Sequence, residues 1–300
     1  MKFIINGGKK LAGEITVCGS KNAATPLIAA TLLTKKSIVL SNIPRISDVL
    51  TMLEILRSAG SKQRWLDEHT LELANDEIDP SRIDQKLVCK TRSSILLVGP
   101  LLARFGKLEI ATPGGCHIGS RPIDTHLEAF KVLGARIDFD FKSGLYKISL
   151  EKNIEHEAVL REASVTGTEN LLMLGSCYPV AIKNAAMEPH VVALGNFLQK
   201  LGVQISGLGT HSVSVLPNAD INKTNINFSI INDYIEMGTF AILGAAAKSA
   251  ITIRGIMRDH LELFLEKLRE MGVAFQIQNE NLLINGQASN LKSAKIEARM

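Results

Sequence analysis

The chain reads as an α/β protein assembled from one repeated unit, and three observations predict this. Four amphipathic segments of helical period each end at a glycine, Gly60, Gly134, Gly202 and Gly272, spaced 74, 68 and 70 positions apart. Glycine is the residue that most easily takes the left-handed conformation just past a helix C-terminus. Each of these glycines is followed by short alternating segments of hairpin character. Each amphipathic helix is preceded by a second helix that is apolar nearly all round, which calls for burial on every side. The repeat is therefore β-α-β-α-β-β, present four times.

Taken in order, the buried helices are predicted over 25–33, 93–105, 169–177 and 237–248. Each runs into a middle strand, over 37–40, 107–111, 179–183 and 250–254. The amphipathic helices follow, over 52–59, 127–133, 197–201 and 264–271, and then the hairpin strands. These are 70–73 in unit one, 135–139 with 146–150 in unit two, 203–206 with 212–216 in unit three, and 273–276 with 282–285 in unit four. A leading strand is expected before each buried helix, as at 86–90 and 227–231. The segment 295–299 has the look of a leading strand for a fifth unit.

Composition narrows the function. Basic residues number 34 against 30 acidic ones, a net charge of +4, which suits anionic small ligands. Aromatics are only 5% and no basic cluster interleaves with them, so nucleic-acid binding is not indicated. The longest apolar runs are too short to span a bilayer, and the first residues lack the apolar core of a signal peptide. The four cysteines, Cys18, Cys89, Cys116 and Cys177, form no CxxC pair. Free thiols in a reducing cytoplasm are the expected state, with Cys18, Cys89 and Cys177 read as inert core thiols.

The repeat exposes one exception. Between middle strand and capping glycine, unit two is longer than the others, and the excess is the 113–121 loop. An insertion that the common fold does not require points to function. The loop holds Cys116 between Gly114-Gly115 and Gly119, with His117, Arg121 and His126 close enough in sequence to favour the thiolate. The alternative is a glycine-rich turn with an incidental cysteine.

Helix starts supply the second functional signal. The buried helices open with Ser20-Lys21-Asn22, Lys90-Thr91-Arg92-Ser93, Ser164-Val165-Thr166-Gly167-Thr168-Glu169-Asn170, and Asn232-Asp233-Tyr234-Ile235-Glu236. Free backbone N–H groups at a helix start bind anions. Ser20, Thr91 and Asp233 are read as caps. Lys21 and Arg92 oppose the helix dipole where they stand, so they are read as ligand-binding cations.

Six motifs in order carry a resemblance. Gly19-Ser20-Lys21-Asn22-Ala23-Ala24, Lys90-Thr91-Arg92-Ser93-Ser94, and Pro113-Gly114-Gly115-Cys116-His117-Ile118-Gly119-Ser120-Arg121-Pro122 closely resemble the UDP-N-acetylglucosamine 1-carboxyvinyltransferase family, the UDP-GlcNAc enolpyruvyl transferases. Thr166-Gly167-Thr168-Glu169-Asn170, Asn184-Ala185-Ala186-Met187-Glu188-Pro189 and Ile235-Glu236-Met237-Gly238-Thr239-Phe240 match too.

The resemblance implies an inside-out α/β barrel of β-α-β-α-β-β units, three per domain, with four of an expected six present. A complete three-unit domain would run over 20–229, and a partial second domain over 1–19 with 230–300. It also implies transfer of enolpyruvate from phosphoenolpyruvate to the 3′-hydroxyl of UDP-N-acetylglucosamine, with release of phosphate. This is the first committed step of peptidoglycan synthesis, cytoplasmic and without a cofactor. By the same resemblance Cys116 is the general acid and the residue alkylated by fosfomycin, while Lys21, Arg92 and Arg121 contact phosphoenolpyruvate. Asn22 orients the sugar nucleotide. Arg121, Pro122, Ile123, Asp124, Thr125, His126, Ser164, Val165, Thr166 and Glu188 fall at substrate-binding positions. Asp124 and His126 read equally as helix-start residues.

Two positions depart from the family pattern: His190 and Tyr234 stand where many relatives carry an acidic and a basic residue. The general base is expected in units beyond residue 300, so the chain reads as lacking the C-terminal part and its own turnover as low. Two alternatives stay open, a non-catalytic UDP-sugar-binding relative and an enolpyruvyl transferase acting on shikimate 3-phosphate. The cysteine loop speaks against the second.

Overall fold

The computed structural model describes residues 2–114, 123–150, 156–217, 221 and 226–296. The chain divides into two compact units, one of residues 20–231 and one of residues 1–19 with 232–300.

The discontinuous unit starts with β1 (Ala12–Thr16). The continuous unit follows. Its first repeat is α1 (Lys21–Ala30), extended by a 3-10 turn over Thr31–Leu33, then β2 (Ile38–Ser41), α2 (Ser47–Ser58), β3 (Lys62–Trp65) and β4 (Leu71–Ala74). The second is α3 (Gln85–Val88), a 3-10 segment over Arg92–Leu97 running into α4 (Val98–Phe105), β5 (Lys107–Ala111), α5 (Asp124–Val132), β6 (Ala135–Asp140) and β7 (Leu145–Leu150). The third is β8 (Glu157–Val159), α6 (Val165–Gly175), β9 (Val180–Lys183), α7 (Pro189–Lys200), β10 (Gln204–Ser206) and β11 (Ser212–Leu216). After β12 (Ile226–Ser229) the chain returns to the discontinuous unit with α8 (Tyr234–Ala246), β13 (Ala250–Arg254), α9 (Glu262–Glu270), β14 (Phe275–Gln278) and β15 (Asn281–Asn285).

The glycines that close the amphipathic helices all have positive φ, 108° at Gly60, 93° at Gly134, 91° at Gly202 and 76° at Gly272. Three sheets form the continuous unit, in the orders β12-β2-β4-β3, β5-β7-β6 and β8-β9-β11-β10. The discontinuous unit has one, β1-β13-β15-β14. The leading strands are exchanged: β12, late in the chain, pairs parallel with β2 of repeat one, and β1 pairs parallel with β13 of repeat four. Each exchange fills the edge of a sheet whose own repeat supplies three strands.

The second repeat departs from the sequence reading. A leading strand was expected over 86–90, and the chain instead forms the short helix α3. Asp84 explains the change, because its carboxylate caps the N–H groups of Lys86 and Leu87 at 2.9 and 3.4 Å. The edge of β5 is not left bare. The Gln85 side chain accepts from the Ala111 N–H at 2.7 Å and donates to the Glu109 carbonyl at 3.2 Å, doing with one amide what a strand would do. The 295–299 expectation fails over its described part, since Lys295 and Ile296 carry no regular structure.

Of the four apolar helices, three are buried as expected. Residues 23–30 of α1, 98–103 of α4 and 167–175 of α6 are all buried, and the three share one core. The fourth, α8, is corrected: Ile235, Ile242 and Leu243 are 53, 53 and 43% exposed. Within its unit α8 packs on the sheet through β13 and β15 and meets Phe264 of α9, and Ile235, Ile242 and Leu243 stay outside these contacts.

Contact between α4 and α6 is close enough to exclude a side chain. A Cβ on Gly99 would collide with the Asn170 carbonyl oxygen. The Gly99 N–H also donates to Asn170 Oδ1 at 2.7 Å, and Asn170 Nδ2 donates to the Ile95 carbonyl at 3.1 Å. Gly99→Ala is therefore expected to lower stability by about 1–3 kcal/mol through overpacking against rigid backbone. Urea denaturation measures this, and an unchanged midpoint would show that α4 and α6 separate without cost.

Candidate active site at the helix starts of the continuous unit

The site is built on the first two turns of α6. Ser164 caps this helix, its hydroxyl accepting from the Gly167 N–H at 3.2 Å. The next side chains reach outward in sequence order. Thr166 Oγ1 shares a 2.7 Å hydrogen bond with His126 Nε2 in the first turn of α5. Thr168 Oγ1 donates to the Ser164 carbonyl and accepts from the Ala186 N–H at 2.9 Å, just before α7. Glu169 lies beside Glu188, which is the N-cap residue of α7. Asn170 ties in the Arg92–Leu97 segment through Ile95 and Gly99, as described above. One stretch of α6 therefore brings the starts of α5 and α7 and the turn carrying Arg92 to a common place.

His126 is 4% exposed, and its imidazole is lowered to about 4. Burial is the larger cause and the Arg92 charge the second, with the nearby Ile123 backbone opposing both. It is neutral at neutral pH, and the Arg92 charge is placed where it acts on this ring. Glu169 is 1% exposed, and its carboxyl is raised well above the usual carboxylate range, first by burial and then by the charge on Glu188. Buried polar atoms almost always find partners. Here His126 Nδ1, Glu169 Oε1, Glu188 Oε2 and Ser20 Oγ have none among the described residues, and all four stand at helix starts.

The sequence-predicted residues fall as follows. Lys21 opens α1 and forms an ion pair with Asp48 of α2 at 3.4 Å, so a local partner offsets part of its conflict with the dipole. Asn22 is half-buried on the same turn. Thr91 caps the next segment through the Ser93 N–H at 3.3 Å, and Asp233 caps α8. Ser20 is corrected: it occupies the cap position of α1 but makes no capping bond. Ile123 is buried, Asp124 is exposed as the first residue of α5, and Thr125 donates to Glu162 Oε1 at 3.1 Å. Thr125 also lines a cleft of ≈ 220 Å³ with Glu128, Lys131 and Arg161. Val165 and Thr166 are half-buried at the start of α6.

Cys116, His117, Arg121 and Pro122 lie outside the described residues. Cys18, Cys89 and Cys177 are corrected from core thiols to exposed ones. The protein around Cys177, and at Cys18 also the charges of Glu236 and Asp233, push those two thiols up. Among the described residues no His, Cys, Asp or Glu cluster could hold a metal ion, and no helix is long and apolar enough to cross a membrane. Sequence reasoning missed Glu169 as an individual residue. Its signal was present, since a carboxylate within an otherwise apolar buried helix requires a reason.

Comparison with known proteins gives the family and the fold. The EPSP synthase (3-phosphoshikimate 1-carboxyvinyltransferase) family model matches residues 5–299. UDP-N-acetylglucosamine 1-carboxyvinyltransferase of Campylobacter hominis is 40% identical over 287 residues, covering 95% of this chain and 68% of that protein. The same enzyme of Coxiella burnetii is 39% identical over 298 residues, covering 98 and 68%. Among solved structures, the enolpyruvyl transferase NikO from Streptomyces tendae matches with a TM-score of 0.82 at 18% identity, covering 94% of this chain and 67% of that one. EPSP synthase from Acinetobacter baumannii matches with a TM-score of 0.71 at 17% identity, covering 94 and 66%. These two likenesses speak for the fold.

One prediction concerns His126. Its folded pKa lies below the ordinary 6.5, so between about 4 and 6.5 the unfolded chain binds more protons than the folded one. Its contribution to stability is complete above pH 6.5 and is lost as pH falls toward 4. Melting temperatures of the protein and of His126→Phe are expected to converge across that window. An NMR titration placing the ring at its ordinary value would contradict the burial argument.

A family match over residues 5–299, a shared fold and 38–40% identity across nearly the whole chain lead to one statement: the chain belongs to the EPSP synthase family and, within it, to the UDP-N-acetylglucosamine 1-carboxyvinyltransferases.

Proposed function

We propose that this chain is a transferase that handles phosphoenolpyruvate and UDP-N-acetylglucosamine and moves the enolpyruvyl group onto the sugar 3′-hydroxyl. The observation that carries the reading is the joining of Arg92, His126, Thr166 and Glu188 at one group of helix starts, in a chain whose relatives are named for this reaction.

The chemistry sets what the residues must do. Phosphoenolpyruvate carries a phosphate and a carboxylate, and Lys21, Arg92 and Arg121 supply matching cations, the arginines with two-pronged donors. A proton from the Cys116 thiol goes to the methylene carbon while the sugar hydroxyl attacks the adjacent carbon and gives up its own proton to a general base. Phosphate then leaves the tetrahedral ketal as the methyl group returns a proton to the Cys116 thiolate, which restores both the thiol and the double bond, now an enol ether. The Asn22 amide and the 121–126 and 164–166 positions orient the sugar nucleotide. His126, held neutral, adds no charge of its own beside Arg92.

A second reading, action on shikimate 3-phosphate, is favoured by the description of the matching family model. Relatives covering 94–98% of this chain carry the UDP-N-acetylglucosamine name instead, which places it second. Titration calorimetry separates the two. Saturable binding of UDP-N-acetylglucosamine and none of shikimate 3-phosphate is expected, and the opposite pattern would reverse the assignment.

Two further outcomes test the residue roles. Lys21→Ala is expected to weaken phosphoenolpyruvate capture about tenfold or more, the scale of one charge-assisted hydrogen bond, with sugar-nucleotide affinity much less affected. Stronger loss of sugar-nucleotide binding would remove Lys21 from its role. Fosfomycin is expected to label Cys116 several-fold faster than Cys18 or Cys177, whose raised thiols react slowly. Peptide mass spectrometry showing even labelling would refute a privileged Cys116.

A further inference from the structure

Glu169 and Glu188 each hold a buried side-chain oxygen without a partner among the described residues, and the Glu188 charge acts on Glu169; the reaction above uses at most one of them. Glu188 is half-buried at the N-cap of that helix, where the helix dipole favours negative charge, yet its side chain caps no backbone N–H. Glu169, from the second turn of α6, is 1% exposed. Glu169 Oε1 and Glu188 Oε2 are both shielded from water and both without hydrogen-bond partners among the described residues. Three other side chains of the same stretch, Thr166, Thr168 and Asn170, each bond a neighbouring element. Glu169 Oε1 is the buried side-chain oxygen of this stretch without a partner among the described residues.

We propose that Glu169 is a positioning residue that, as a neutral carboxylic acid, fixes the Glu188 carboxylate toward a hydroxyl or amide group of the sugar nucleotide. The proposal rests on the functional reading above. Like charges on groups shielded from water repel, so one carboxyl keeps its proton. Burial selects Glu169 for that role, and the charge on Glu188 adds to it. A protonated carboxyl is a donor as well as an acceptor, whereas an ionised one only accepts. Glu169 can then donate toward Glu188 or the ligand, while Glu188 accepts from a ligand O–H or N–H. Elements packed against α6 also carry Asp124, His126, Glu128 and Lys131 on α5, His190 and Lys200 on α7, Lys183 on β9, Arg104 on α4 and Arg92 before it. His126 is neutral, and Glu188 is the described group whose charge acts on Glu169.

The proton has a measurable consequence. A carboxyl raised in the folded state binds more protons than in the unfolded chain above pH 4.5, so its contribution to stability falls as pH rises toward the folded value. Glu169→Gln removes that dependence and is expected to gain melting temperature relative to the unmutated protein as pH is raised from 5 to 8.

The decisive experiment is calorimetric titration of UDP-N-acetylglucosamine across that pH range, with infrared difference spectra of the same proteins. Glu169→Gln, a neutral isostere, is expected within about threefold of the unmutated chain at neutral pH. Its affinity should stay flat as pH rises, while that of the unmutated chain declines. Glu169→Met keeps the volume and loses both donor and acceptor, and a loss of tenfold or more is expected. The protonated-carboxyl band should vanish in Glu169→Gln, and in Glu188→Gln it should titrate at lower pH.

Unaltered binding by Glu169→Met would overturn the proposal. So would a Glu169→Gln protein as weak as the methionine variant, since that result requires an ionised Glu169. If the methionine variant does not fold, the pH profile and the infrared band of Glu169→Gln still decide. Absence of sugar-nucleotide binding by the unmutated chain would instead overturn the functional reading itself.

Discussion

The structure of the continuous unit depends on polar side chains from a single buried helix. Threonines and an asparagine at the start of α6 are spaced so that each faces a different neighbour: α5 through Thr166, the approach to α7 through Thr168, and the α4 segment through Asn170. In a low-dielectric interior each of these bonds is costly to leave unmade. They therefore fix where the helix starts meet, which hydrophobic packing alone does not do, because apolar contacts are non-directional. The collision that any Cβ at Gly99 would cause sets the spacing of α4 and α6 to the same place.

This arrangement determines the charge states of the site. Burial that makes the α6 bonds strong also takes charge away from His126 and Glu169. Arg92 then stands beside a neutral imidazole, and Glu188 beside a carboxyl that keeps its proton. Lys21 is held differently, in a half-exposed pair with Asp48, where solvent weakens the attraction.

The repeats were legible because glycine at positive φ and all-apolar helices leave plain marks, and four of each recur at nearly constant spacing. Departures came where a polar side chain overrode the pattern. Asp84 turned an expected strand into α3 by capping it, and Gln85 then served the β5 edge. The exposed face of α8 shows another limit: apolar composition states a demand for burial, and neighbours decide how far it is met. The exposed Cys18, Cys89 and Cys177 fell outside sequence reasoning for a similar reason, since adjacency to apolar segments does not fix which way a side chain faces.

The sequence by itself determined the unit, its repeat count and the cation-bearing helix starts, because these follow from local periodicity and residue chemistry. The cysteine loop and its motifs were likewise visible there. Only the tertiary structure decided which strand completes which sheet, since β1 and β12 pair with repeats far from them in the chain. It alone put Thr166 against His126 and Glu169 against Glu188. Those pairs join residues 40 and 19 positions apart, and a carboxyl's proton depends on the depth and company that packing gives it, which no local pattern encodes.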